Sequence, residues 1–291
     1  MLDTLAQVKR LILNADDFGL TAGVNRAVVK LNQRGNLTSA TLMARAAATD
    51  EAILLASASL GVGCHVVLLD GIPALPSDKL LCLTHPRTLR FAPTLGTFLS
   101  RLILSGHEIE AEIQAEAAAQ IALLQSHGLS LTHIDTHKHT HMFPRVLRPV
   151  LRAAHAAGIR TVRNPFEPAW SIRATPRAPW LRRLQVRLLR TLEPTFRRIV
   201  AEEGFATTDG AIGVLATGTL DTETLTSLLS AMPDGTWELV THPGYNDAEL
   251  AQAGTRLLAS RETELSALAT VKFPPDVELI HFGQLANSRP D

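Results

Sequence analysis

About eight short apolar runs recur along the chain, at 11–13, 39–43, 61–68, 131–134, 161–163, 211–215, 237–241 and 277–282, and nearly all are separated by stretches of helical character. Strands that alternate with helices argue for βαβ units and a parallel sheet, because a parallel neighbour needs a long crossover connection. The pattern predicts an α/β fold, best fitted by a TIM-like (β/α) barrel of seven to eight strands, regular or distorted. A doubly wound open sheet is the alternative. A helix is predicted over 22–33, with Thr21 as its cap, Val24, Ala27, Val28 and Leu31 on one face and Gly35 as its stop. Further helices are expected at 51–60, 108–126, 180–200, 222–231 and 247–269. No repeat or linker divides the chain, so residues 1–291 read as one domain. It carries a long loop at 69–95, marked by Pro73, Pro76, Pro86 and Pro93, and a Pro/Arg-rich insertion at 165–200.

Composition excludes several classes. With 46% hydrophobic and 19% charged residues the chain is ordinary for a globular protein. Its formal charge is zero, which gives no pull towards nucleic acid. Two cysteines, Cys64 and Cys82, make no disulfide framework. No run is long and apolar enough to span a membrane, and residues 1–10 lack the apolar core of a secretory signal. A cytoplasmic enzyme is the expectation.

The chemistry-bearing residues concentrate at the ends of the expected strands. His133-Ile134-Asp135-Thr136-His137-Lys138-His139-Thr140-His141 holds four of the eleven histidines. Asp16 and Asp17 follow the first run, His65 lies in the third, Arg163 ends the fifth, and His242 follows the seventh in Thr241-His242-Pro243-Gly244. In a barrel all such ends meet on one face, where α/β enzymes keep their active sites. One carboxylate and two imidazoles make a three-ligand metal site with positions left open for water. A second carboxylate beside the first can act as a base, and a histidine across the barrel can protonate a leaving amine. Asp135 can orient one imidazole from behind.

Each residue also has a plainer reading. Asp16-Asp17 before Gly19 is good turn chemistry, His65 suits a satisfied core histidine, Arg163 a structural ion pair, and the histidine tract a solvated loop. Their common placement at strand ends favours the site. Two other functions stay open: another metal hydrolase, of phosphoesterase or amidohydrolase type, built on His137, His139 and His141, and a non-catalytic sugar-binding barrel.

The motifs Asn14-Ala15-Asp16-Asp17-Phe18-Gly19, Gly63-Cys64-His65, His133-Ile134-Asp135-Thr136-His137 and Thr241-His242-Pro243 resemble, in order and spacing, those of the YdjC-like (ChbG) carbohydrate deacetylases. The resemblance covers nearly the whole chain. It implies a barrel-like α/β fold and metal-dependent hydrolysis of an N-acetyl group on an amino sugar. Carried over, it makes Asp17, His65 and His137 the metal ligands, Asp16 the catalytic base and His242 the acid. Asp135, Arg163 and His139 would touch substrate or support the ligands. The runs 65–71, 162–168 and 232–235 are similar to the hopanoid-associated HpnK branch, which implies an N-acetylglucosaminyl hopanoid as substrate.

The donor set accepts Zn²⁺, Ni²⁺, Fe²⁺ or Mn²⁺, and Mg²⁺ with waters; one divalent ion, Mg²⁺ or Zn²⁺, is the expected cofactor. The expected partner is an N-acetylated amino-sugar substrate, on a lipid or an oligosaccharide, and a homodimer is compatible with the sequence. Between Trp170 and Val200 eight arginines face a single acid, Glu193. A helix over 180–200 would gather Arg182, Arg183, Arg187 and Arg190 on one arc and Leu181, Leu184, Leu188 and Leu192 roughly opposite. Such a helix suits peripheral contact with the inner membrane face. An amphipathic helix packed on the barrel is the plainer reading.

Overall fold

The computed structural model describes residues 8–285. Within them, seven parallel strands form one sheet: β1 (Lys9–Phe18), β2 (Ser39–Leu42), β3 (Gly61–Val66), β4 (Ile134–Thr136), β5 (Gly210–Ile212), β6 (Gly235–Thr241) and β7 (Val277–Leu279). Their order is β4-β3-β2-β1-β6-β5, with β7 beside β1. β6 takes one edge of β1 along Lys9–Ala15. The other edge is shared, β7 pairing with its first three residues and β2 with its last part. β1 is thus flanked on both sides and its interior residues are fully buried, which is why it reads as a continuous apolar run.

The sheet is parallel and curled into a half-barrel, a distorted form of the expected (β/α) barrel. The expected fifth strand at 161–163 is reduced to isolated bridges, Ile134↔Val162 and Thr161↔Ala206. Pro165 and the buried polar pair Arg163 and Asn164 follow at once, and their side chains serve other partners. The fourth strand begins later than expected, at Ile134, which puts Asp135 and Thr136 inside the sheet instead of on a loop.

The helices follow local chemistry. Thr21 Oγ1 accepts from the Val24 amide at 3.2 Å and starts the helix Ala22–Gln33, which buries Val24, Ala27, Val28 and Leu31 as expected. The stretch expected as one helix at 247–269 is two, Ala248–Gln252 and Ala259–Thr270, with Gly254 (φ +71°) between them. The predicted helix at 51–60 runs Thr49–Leu55.

The long loop is not free. Helix Glu108–Ser126 presents Glu112, Glu116 and Gln120 on one face at four-residue spacing. Glu112 accepts from the amides of Cys82 and Leu83, Glu116 from Ala74 (2.7 Å) and Leu75 (3.0 Å), and Gln120 bonds both backbone groups of Val67. Backbone groups that have no strand partner thereby find side-chain partners. A helix absent from the sequence expectation, Leu95–Leu104, capped by Thr94, follows the loop.

The 165–200 insertion also differs from expectation. It contains Ala169–Ala174, Trp180–Leu189 and Glu193–Glu202, so the single 180–200 helix is broken at 190–192.

Candidate active site

Asp16 and Asp17 sit at the end of β1, where alternation should send neighbours to opposite faces. The register of β1 against β2 shifts between Ala15 and Phe18, and Asp17 has φ +62°. This bulge turns both carboxylates into one cavity. His65 comes from β3 and Asp135 from the register position beside it on β4. The chain then makes a tight turn through His137–Met142, with Lys138 (φ +56°) and His139 (φ +54°) in the left-handed region. Thr136 Oγ1 accepts the His141 amide at 2.9 Å and so closes that turn.

The proposed ligand atoms converge. One donor atom each from Asp17, His65 and His137 lies within 4.8 Å of the others. His65 Nε2 is 3.2 Å from His137 Nδ1 and 3.6 Å from Asp17 Oδ1, and His137 Nδ1 is 3.4 Å from the same oxygen. Behind them, Asp135 Oδ1 meets His65 Nδ1 at 2.7 Å, which leaves Nε2 facing the cluster. Asp17 Oδ2 accepts from Arg261 Nη2 at 2.5 Å, so only Oδ1 faces the histidines.

Asp16 lies beside this group in a lattice of buried charge. Arg163 reaches it with two nitrogens, at 2.8 and 2.6 Å, and also bonds Asp135 and Glu238. Asn14 and Thr41 donate to Asp16 Oδ1 at 3.0 and 3.2 Å. His242, from the end of β6, places Nε2 3.8 Å from Asp16 Oδ2.

The electrostatics follow from burial and partners. Burial alone would raise the carboxyl of Asp16, but the Arg163 guanidinium overcomes it and holds the group below the usual carboxylate range. Asp17 is likewise held well below that range, Arg261 outweighing burial. His65 goes the other way for an imidazole: burial opposes its charge, yet Asp135, Asp16 and Asp17 push it up to about 9. The cluster therefore draws positive charge to the position between these groups, as a cation site must. Burial pushes Glu238 up to about 7 against the pull of Arg163, and burial pushes His242 down to about 4.

The remaining histidines divide. Both nitrogens of His141 are engaged, Nδ1 with Thr136 Oγ1 at 2.8 Å and Nε2 with the Arg163 carbonyl at 3.2 Å, so its ring is structural. His139 lines the cavity with a buried Nδ1 that has no partner. A cluster of His137, His139 and His141 is not formed. A second potential triad, Asp16, His65 and Asp135, surrounds oxygens already bonded to Arg163; a second ion there would have to displace a guanidinium.

Three charged residues of this lattice escaped the sequence reading. Glu238 carried a usable signal, a lone acid inside an apolar strand. Arg261 and Glu264 carried none, because their helix lies some 120 residues beyond the histidine tract.

The cavity above this floor has a volume of about 860 Å³. Leu95 and Leu99 wall one side, Met142 and Phe143 another, and Leu181, Val186 and Leu189 of the helix Trp180–Leu189 a third. Phe143 is the only phenylalanine, tyrosine or tryptophan among the lining residues. Arg182, expected on an outward arc, turns inward: it donates to the carbonyls of Thr217 and Val214. Arg183 donates to those of Ala178, Ile172 and Thr175. Trp180, Leu181, Leu184 and Leu188 are exposed on this helix beside Gln185 and Arg187.

Comparison with known proteins matches residues 10–278 to the YdjC-like proteins. A carbohydrate deacetylase of Brevibacillus brevis is 30% identical over 289 residues, covering 95% of this chain and 99% of that protein. A carbohydrate deacetylase of Geobacillus stearothermophilus is 31% identical over 260 residues, covering 88% of each. The fold is shared with a crystal structure from Enterococcus faecalis, provisionally described as a cellobiose-phosphate cleavage protein. It has a TM-score of 0.75 and 22% identity, and the match covers 96% of this chain and 99% of that one. With the family matched across nearly all of the sheet and its rim, the chain belongs to the YdjC-like family.

Proposed function

We propose that the protein removes the acetyl group from an N-acetylglucosamine-type sugar in a metal-dependent hydrolysis. It is an enzyme of the class its relatives are named for, a hydrolase acting on a C–N amide bond. The observation that carries the reading is the convergence of Asp17, His65 and His137 at the floor of a cavity, with Asp16 and His242 paired beside them. The donors suit a divalent ion: one oxygen and two imidazole nitrogens, with Asp135 fixing the tautomer of His65. Bound by these three, such an ion supplies Lewis acidity towards the acetamide carbonyl and acidifies a water.

The chain's own groups do the rest. Asp16, held by Arg163, Asn14 and Thr41, takes a proton from the attacking water as its oxygen bonds the carbonyl carbon. The C–N bond breaks, His242 gives its Nε2 proton to the departing nitrogen, and acetate and a free amino sugar result. Asp135 and Arg163 hold the reacting groups in place, and His139, with its free Nδ1, is the candidate contact to substrate.

The walls favour a sugar on an apolar carrier, such as the N-acetylglucosaminyl hopanoid. A free oligosaccharide is the second reading. Aliphatic side chains dominate the cavity above the floor, and the aromatic platforms that sugars stack on are reduced to Phe143. The helix that supplies one wall exposes Trp180 and Leu188 by 71% and 59%, which supports peripheral contact with a membrane on the cytoplasmic side.

The test is a mass-spectrometric screen for loss of acetyl from a hopanoid bearing N-acetylglucosamine, from chitobiose and from free N-acetylglucosamine, each with and without Mg²⁺ or Zn²⁺. Acetate release that needs the ion, strongest on the hopanoid, is expected. Release from chitobiose alone would remove the lipid carrier. Phosphate release from a phosphoester, or no turnover with any ion, would overturn the deacetylase.

A further inference from the structure

The strand end that bears His242 is held by one helix, Ala259–Thr270. Glu264 on that helix is 1% exposed, and its carboxylate faces the histidine from below. Glu264 Oε2 accepts the backbone N–H of His242 at 2.6 Å, and Oε1 accepts that of Gly218 at 3.3 Å. The same Oε2 stands 3.9 Å from His242 Nδ1, a buried nitrogen without a hydrogen-bond partner. One turn earlier, Arg261 sends its guanidinium to Asp17 and its carbonyl to the Gly244 amide, so both neighbours of Pro243 are tied to this helix. The other charged and titratable groups around His242 are Asp16 and Asp17 from β1, Arg163, and His139 on the cavity wall.

We propose that Glu264 is a positioning residue that sets the tautomer and orientation of His242, holding a proton on Nδ1 so that Nε2 is the nitrogen that delivers a proton to the leaving amine. The proposal rests on His242 being the acid. An imidazole that donates from Nε2 must carry its second proton on Nδ1, and that proton needs an acceptor because Nδ1 is buried. Glu264 is the carboxylate in reach; a movement of under an ångström closes 3.9 Å to a hydrogen bond. In the step itself, the proton that Asp16 takes from the water passes to Nε2 of the neutral His242 ring, 3.8 Å away; the Nε2–H bond then breaks as the C–N bond of the amide breaks, and the amine nitrogen gains the proton. His242 returns neutral, with Nδ1–H still on Glu264. The ring is pinned at its backbone and at Nδ1, the two places that leave Nε2 free.

Glu264→Gln keeps an oxygen for the His242 N–H and removes the negative charge of a carboxyl that burial pushes up to about 7, while its NH2 turns towards the Gly218 amide. We expect kcat for the N-acetyl sugar to fall at least tenfold with KM within about twofold. Hydrolysis of 4-nitrophenyl acetate, whose leaving group needs no proton, should fall less than twofold, and bound metal should be unchanged. Nitrogen-15 NMR of the metal-free protein should place the His242 proton on Nδ1 in the wild type and lose that preference in the variant. Equal losses on ester and amide, or no loss on either, would overturn the positioning role. His242→Ala, assayed in parallel, isolates the underlying reading: without ester–amide asymmetry in that variant, His242 is not the acid. With asymmetry there and none in Glu264→Gln, the positioning proposal alone fails. If Glu264→Gln does not fold, Glu264→Asp, which withdraws the carboxylate by one methylene, must show the same asymmetry.

Discussion

The floor and the rim of the cavity are built by opposite rules. On the floor, Asp16, Asp17, Asp135 and Glu238 are all but buried and are paired with Arg163 or Arg261, each guanidinium bridging backbone elements far apart in sequence. On the rim, the helix Trp180–Leu189 turns Arg182 and Arg183 to backbone carbonyls and leaves Trp180, Leu181, Leu184 and Leu188 in solvent. The floor spends polar groups on geometry: buried ions must be paired, and pairing fixes each one. The rim leaves apolar surface unmet, which is costly unless something covers it. On the proposed reading, chemistry belongs to the first, and the choice of substrate to the second.

The sharpest way to break the comparison is on the floor, where two adjacent aspartates are assigned different work. Asp17→Asn, His65→Ala and His137→Ala should each remove bound metal and abolish turnover with the fold intact. Asp16→Asn should keep the metal and lose roughly 10²- to 10⁴-fold in kcat, the usual range for a general base. Arg163 would still be paired with Asp135 and Glu238, so the variant should fold. Metal analysis beside kinetics decides it. An Asp16→Asn protein without metal would make Asp16 a ligand, and the division between the neighbours would be gone.

A smaller effect comes from the buried imidazoles. Burial pushes His133, His141 and His242 below the ordinary value, with Arg163 adding to all three. In the unfolded chain they titrate near ~6.5. The folded state therefore binds fewer protons below that pH, and stability present above it is lost as the solution is acidified. His65 has the opposite sign. Pushed up to about 9, it contributes stability that is full below ~6.5 and is lost as pH rises through its folded value. The metal-free protein should be most stable near neutrality, its melting temperature dropping by roughly 5 °C or more between pH 7 and 5 and again, less, towards pH 9. A saturating divalent ion should remove the alkaline loss, because the ion takes the place of the proton on His65. Calorimetry that finds a flat acid limb would mean these imidazoles are reached by water.

Much of the floor was legible because its residues mark strand ends. Apolar runs located β1, β3, β4 and β6, and the polar residues inside or just past each run are the candidate site residues. What alternation could not give was the bulge that points Asp16 and Asp17 the same way, since period-two reasoning separates them. Arg163 was visible as a charge, but its three partners come from β1, β4 and β6, a convergence only the folded sheet creates. Arg261 and Glu264 reach the site from a helix whose sequence looks like any solvated surface helix. On the rim the wheel grouped the right residues and reversed their direction. A helical wheel finds two faces without saying which is inside. Here guanidiniums that satisfy loop carbonyls turned the charged face to the protein.

That reversal changes what membrane contact would depend on, and it gives the smallest and most easily broken effect. With Arg182 and Arg183 engaged on carbonyls and Arg190 3.5 Å from Glu193, the arc expected to meet anionic lipid is mostly used internally. Arg187 remains exposed. Electrostatic attraction is worth only about 1 kcal/mol per basic residue at an anionic surface. Burying an exposed leucine is worth about 1.5–3 kcal/mol, and Trp180, Leu181, Leu184 and Leu188 lie together on this helix. Co-sedimentation with vesicles should therefore show weak binding with only a shallow dependence on salt. Replacing Leu184 and Leu188 with Gln should weaken it more than Arg187→Gln does. Neither change touches the lining of the cavity, so deacetylation of a water-soluble substrate should be unaffected. If binding vanishes with Arg187→Gln and survives the leucine changes, charge and not apolar surface drives the contact. If the wild type stays in the supernatant at low salt, the exposed leucines serve something other than a bilayer, and the soluble oligosaccharide becomes the better substrate.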